Sequence, residues 1–111
     1  MTSCSITIVN PLGLHARAAA KFVHLASGFA SSIRVAKGSR EMDGKSIMGL
    51  LLLSAAQGSD ITITCDGPDE RAAIAALCGL IERGFDETPF DGAPGGPFQG
   101  TEGGPFDGGR G

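Results

Sequence analysis

Between Ser5 and Gly84 the spacing of apolar residues switches repeatedly between every second position and every third or fourth, which narrows the folds open to the chain. SITIV, residues 5–9, alternates and stops at Asn10-Pro11, the pattern of a strand. From His15 onward Ala19, Phe22, Val23 and Ala26 recur at helical spacing, and Gly28 stands where a helix-terminating glycine belongs. Ile33 and Val35 alternate with Arg34 and Ala36 as a second strand. Lys37-Gly38-Ser39 then turns the chain into a short polar third strand, Arg40 to Met42. Asp43-Gly44-Lys45 breaks that strand, and Ser46 precedes IMGLLLL, a short apolar helix with a natural cap in a segment that ends by Gly58. ITITC, 61–65, alternates as a fourth strand. Gly67-Pro68-Asp69-Glu70 opens a last helix with acids in its first turn; its expected core face is Ile74, Leu77, Cys78 and Ile81, and Gly84 closes it.

The order βαββαβα predicts an open-faced sandwich of the α+β class, strands in one layer and helices on one face. Right-handed crossovers make the first and last strands neighbours and put the second strand on the far side of the fourth. Composition then shifts after Phe85. Half of the 18 glycines lie beyond it, and PFDG, GGPFQG and GGPFDG repeat at near-regular spacing. Such a stretch buries too little apolar surface to offset its conformational entropy. The expected organisation is a folded domain over 1–86 and a flexible tail over 87–111. The tail reads as an inert extension, or as a carrier of sticky points at Phe90, Phe98 and Phe106.

Several functions are disfavoured by what the chain holds. A net charge of −3 with no basic stripe argues against nucleic acid, whose phosphates demand clustered Lys and Arg. No apolar run reaches the roughly 20 residues that cross a bilayer, and MTSCSITIVN has neither the basic nor the apolar region of a signal peptide. Cys4, Cys65 and Cys78 are odd in number and form no C-x-x-C pair, which fits reduced thiols in the cytoplasm. No G-x-x-x-x-G-K-[ST] loop is present, no acids are placed for Mg²⁺, and no hydrolase triad can be assembled. Two histidines without further ligands make a poor metal site, so no cofactor is expected.

One stretch asks for chemistry: GLHARAAAKFV, residues 13–23. The first turn of a helix presents unpaired N–H groups and the positive end of the dipole, and anions bind there. Arg17 adds donors suited to phosphate oxygens, and the backbone amides of Ala16, Arg17 and Ala18 complete the cradle. Ala16 and Ala18 are expected to leave the approach open, while Gly13 lets the preceding backbone come close. A neutral imidazole at His15 can attack phosphorus. Residue chemistry alone leaves this acceptor and a helix-start histidine without a task as even alternatives.

GLHARAAAKFV, together with GKSIMGLLLLSAAQGSDITITCDGPDE at 44–70, resembles the histidine-containing phosphocarrier (HPr) family of the bacterial phosphoenolpyruvate-dependent phosphotransferase system. The likeness runs from Ser5 to the neighbourhood of Asp86 without an apparent gap. LIERGFDE and the HARAA form are most similar to the nitrogen-related branch. The resemblance implies four antiparallel strands covered on one face by three helices. It also implies that His15 takes a phosphoryl group from phospho-Enzyme I on Nδ1 and hands it to a histidine of an Enzyme IIA protein, with Arg17 steadying the group. The chain would then be a covalent intermediate rather than a stand-alone enzyme. Ala18 stands where many relatives have proline, and Leu12 where some have a polar residue.

Ser46 caps the helix after it on any reading; the resemblance adds that it is the target of HPr kinase/phosphorylase. A phosphate there would add about −1.5 to −2 charges beside the docking surface without opposing the helix dipole. IMGLLLL is too apolar to bury on one face. By resemblance Ile47, Met48 and Leu51, with Ala16, Arg17 and Ala20, meet Enzyme I and IIA partners, although Met48 in the core is the plainer alternative. His24 reads as a solvated helix position, and Lys21 and Lys45 as sources of mild positive potential. A monomer is expected of a protein that shows one face to successive partners. The competing function is a regulatory binding module controlled at Ser46, with no transfer through His15.

Overall fold

The computed structural model describes residues 1–86; the expected 87–111 tail and its phenylalanines lie outside the described residues. The elements follow in the expected order: β1 (Thr2–Thr7), α1 (Ala16–Ala26), β2 (Ser32–Lys37), β3 (Arg40–Asp43), α2 (Ile47–Leu52), β4 (Asp60–Asp66) and α3 (Glu70–Glu82). A short 3₁₀ turn, Gly84–Asp86, ends them. The sheet is antiparallel with strand order β1-β4-β2-β3, as the crossover argument required.

β1 lies upstream of the expected 5–9. Pairing against β4 sets its limits, from Thr2 opposite Cys65 to Thr7 opposite Asp60. Its outward positions carry Ser3, Ser5 and Thr7, whose hydroxyls meet Thr64, Thr62 and Asp60 across the ladder, so polarity there does not end the strand. β2 turns into β3 through Gly38-Ser39, where Gly38 takes a φ of +60°.

Alternation places Ile33, Val35, Ile61, Ile63 and Cys65 on the covered face, all buried, while Ser32 and Arg34 stay exposed. α1 lays Ala18, Ala19, Phe22 and Ala26 on that core, and Val23 is half-buried. α3 contributes Ala73, Leu77, Leu80 and Ile81; Ile74 and Cys78, also expected on its core face, are half-buried against the core. Ala73, Leu77, Leu80 and Ile81 thus form the buried seam of the helix. Phe85 in the terminal turn is wholly buried at a φ of +59°, a core residue that periodicity did not reveal.

Three ties hold the connections. Asp69, the N-cap residue of α3, makes no side-chain cap bond; its carboxylate instead accepts from the Ala30 and Ser31 amides and the Ser31 hydroxyl. Lys45 donates to the Phe29 carbonyl beyond the end of α1, while Leu14 donates to Ala55 beyond the end of α2. These two contacts run α2 antiparallel to α1 and bring its last turn toward the start of α1.

Candidate functional site

The chain leaves the sheet at Ile8, whose amide donates to Ser59 O and whose carbonyl accepts from Gly58. Asn10 to Gly13 then forms a turn closed by Gly13 N–H on Asn10 O at 3.0 Å, with Gly13 at a φ of +66°. Only glycine fits there, because a Cβ would stand 2.6 Å from Ala55 O. Beyond the turn, His15 is itself the N-cap of α1.

Its extended backbone, φ −85° and ψ −179°, turns the ring over the helix start, where Nδ1 accepts from the Arg17 amide at 3.3 Å. In a neutral imidazole one nitrogen accepts while the other carries the proton, so this bond assigns the Nδ1 lone pair to the helix end and the proton to Nε2. The first intrahelical bond runs from Ala19 N–H to His15 O at 2.8 Å, which places the amides of residues 16–18 ahead of the ladder. No acid occupies the first turn of α1 to offset the dipole. The role that serine or aspartate plays elsewhere thus falls to the imidazole.

Ala16, Arg17 and Ala20 are exposed and His15 is half-buried. Ala18 is not beside the approach as expected. Its methyl is fully buried, because 18, 22 and 26 share the inward stripe of α1; only its backbone belongs to the first turn.

Ser46 sits at the N-cap of α2, its Oγ accepting from Gly49 at 3.0 Å. Ile47 and Met48 project outward at 41% and 68% exposure, so Met48 is not core. Leu51 departs from the expected patch: it is half-buried against the core. Leu52, at 54%, takes the outward place, at the end of α2 that lies toward His15. Val9 and Leu12 are also exposed apolar residues, and Leu12 is in the turn before His15. Nothing in the periodicity marked them. Lys21 and Lys45 do more than lend charge: Lys21 Nζ donates to Phe85 O at 2.7 Å and Lys45 Nζ to Phe29 O at 2.8 Å. His24 is exposed in the last turn of α1.

The three thiols are free. Burial, with Cys4 alongside, pushes the Cys78 thiol up to about 12, and burial raises Cys65 as well. Both remain protonated at neutral pH, which makes them weak nucleophiles. Among the described residues no group of three or more His, Cys, Asp or Glu is placed to hold a metal, and no helix is long and apolar enough to cross a membrane.

Fold and site together define a class: small open-faced sandwich domains that present one histidine at the N-terminus of a surface helix. The family model described as the PTS HPr component phosphorylation site matches residues 2–83. The chain is 49% identical over 81 residues to the phosphocarrier protein HPr of Cupriavidus necator, covering 73% of this chain and 91% of that protein. It is 44% identical over 82 residues to the phosphocarrier protein NPr of Shewanella violacea, covering 74% and 90%. HPr-C-His from Thermoanaerobacter tengcongensis superposes with a TM-score of 0.77 at 45% identity, over 79% of this chain and 99% of that one. An HPr dimer from the same organism matches at 0.63 and 46%, over 78% and 100%. The chain belongs to the HPr phosphocarrier family of the phosphotransferase system.

Proposed function

We propose that His15 accepts a phosphoryl group from phospho-Enzyme I and passes it to a histidine of an Enzyme IIA protein. The single observation that carries this reading is the ring of His15 capping α1 through Nδ1, with no acid in the first turn. The Nδ1 lone pair forms the new N–P bond while the donor's N–P bond breaks and its electron pair returns to the donor ring. The Arg17 amide, which faces Nδ1 beforehand, then lies beside the phosphoryl oxygens. The Arg17 guanidinium and the Ala16 and Ala18 amides supply further donors.

Ala16, Arg17 and Ala20, with Ile47, Met48 and Leu52, form the docking surface for Enzyme I and IIA; Leu51 supports it from below. Phosphorylation of Ser46 by an HPr kinase/phosphorylase places a dianion beside this surface at a position that already favours negative charge. The protein acts in the cytoplasm, as a monomer toward each partner in turn.

Incubation with phosphoenolpyruvate and the cognate Enzyme I, followed by intact-mass analysis before and after acid treatment, tests the central step. The parent is expected to gain one acid-labile phosphate and His15→Ala none. An unmodified parent beside a demonstrably active Enzyme I overturns the carrier reading and leaves the regulatory module controlled at Ser46.

A further inference from the structure

We infer that Asn10 is a positioning residue for His15, acting through the Gly13 carbonyl. Asn10 is only 3% exposed, one of two buried polar or charged residues among those described. Its backbone carbonyl closes the turn by accepting from Gly13, and its side chain returns across the same turn, with Nδ2 donating to Gly13 O at 2.7 Å. The Gly13 carbonyl also accepts from the His15 amide at 3.0 Å. One oxygen thus joins the buried asparagine to the backbone of the acceptor histidine.

The surroundings make this tie directional. On one side the turn is pinned by Leu14 N–H on Ala55 O at 2.8 Å, and on the other by Gln57 Nε2 on Val9 O at 3.0 Å. Gly84 of the terminal turn closes the floor, where an added Cβ would come 3.6 Å from the Asn10 Cβ. The peptide between Gly13 and Leu14, which leads into His15, is thus held from both sides, its N–H by Ala55 O and its carbonyl by Asn10 Nδ2. Holding that peptide keeps His15 extended and its Nδ1 over the Arg17 amide. Loss of the Asn10 donor leaves that peptide tied through its N–H alone, so its carbonyl tilts and the ring leaves its cap.

The inference rests on the phosphocarrier reading, and the test separates the two. Parent, Asn10→Ala, Asn10→Asp and a control far from the loop, Ile63→Val, are confirmed folded by circular dichroism. Each is then assayed for phosphorylation by Enzyme I, and the His15 ring nitrogens and Arg17 amide are followed by NMR. Asn10→Ala is expected to lower the rate at saturating Enzyme I by on the order of tenfold, the scale of a small misplacement of a reacting group, with KM unchanged. The Arg17 amide and Nδ1 resonances shift in that variant and stay in place in Ile63→Val.

Asn10→Asp supplies the readout that a purely structural role does not move. Protonated, its carboxyl can donate to Gly13 O; ionised, it offers that carbonyl only an acceptor. Its rate therefore falls toward that of Asn10→Ala as pH rises, more steeply than the parent's. Parent-like rates and Arg17 resonances in Asn10→Ala overturn this inference alone. A parent that takes no phosphoryl group overturns the carrier reading and this inference with it.

Discussion

His15 occupies a position normally given to a short oxygen-bearing side chain, and its neighbours explain how an imidazole can serve there. Gly13 brings the backbone to within a methyl group of the α2–β4 connection, and Asn10 and Ala55 fix the turn from two sides. Gly13→Ala places a β-carbon 2.6 Å from Ala55 O at a φ that L-residues avoid. The left-handed conformation alone costs an alanine about 1–2 kcal/mol, and the collision adds to it. A loss of about 2–3 kcal/mol in urea unfolding is expected, with slower phosphorylation of His15. A variant as stable as the parent would show that the loop relaxes away from Ala55.

Among the elements, the junction of β1 with α3 carries the clearest pH signature. Glu70, the first residue of α3, accepts from the Thr2 hydroxyl, pairs with the Met1 amino group and accepts from the Gly67 amide. These contacts, the Thr2 hydrogen bond foremost, hold its carboxyl at about 2 against an ordinary 4.5. A carboxylate lowered on folding stabilises above its unfolded pKa and loses that contribution as pH falls through the folded one. The Glu70 contribution is therefore complete above pH 4.5 and lost toward about 2. Glu70→Gln is expected to be less stable at neutral pH and to show a shallower fall in urea midpoint across that window. Asp69, lowered chiefly by the Ser31 hydroxyl and then by the Ala30 amide, leaves part of the acid dependence in place. Identical acid limbs in parent and variant would assign the whole effect to other carboxylates.

At the scale of the whole molecule, the arrangement gathers apolar side chains that no element could bury alone. α2 is six residues long and spends Gly49 and Leu50 on the core, leaving Ile47, Met48 and Leu52 outside beside α1. A flexible thioether suits the docking surface proposed above, which would fit successive partners. Met48→Asp is expected to raise the KM for Enzyme I about tenfold, equivalent to about 1.4 kcal/mol, while leaving the urea midpoint unchanged. Steady-state phosphorylation at varied Enzyme I measures it. An unchanged KM would remove Met48 from the docking surface.

The seven elements and their order were legible in the sequence because a buried face imposes a period, and the period survives in a linear string. The helix start at His15 was legible too, since glycine, a polar residue and a run of alanines mark a boundary by local means. Local signals stopped at the ends of pairing: β1 begins at Thr2 because β4 is there to pair with, and its serines and threonines carry no apolar contrast. A run of four leucines has no contrast either, so only packing against α1 and the sheet decided that Leu51 turns in and Leu52 out. The burial of Ala18 and Phe85 and the reach of Asp69 to Ser31 were likewise settled in three dimensions. So was the hold of Asn10 on Gly13, local in sequence but dependent on burial. Periodicity reports which side of an element faces the core; which atoms meet there depends on neighbours distant in sequence, and only the folded chain brings those together.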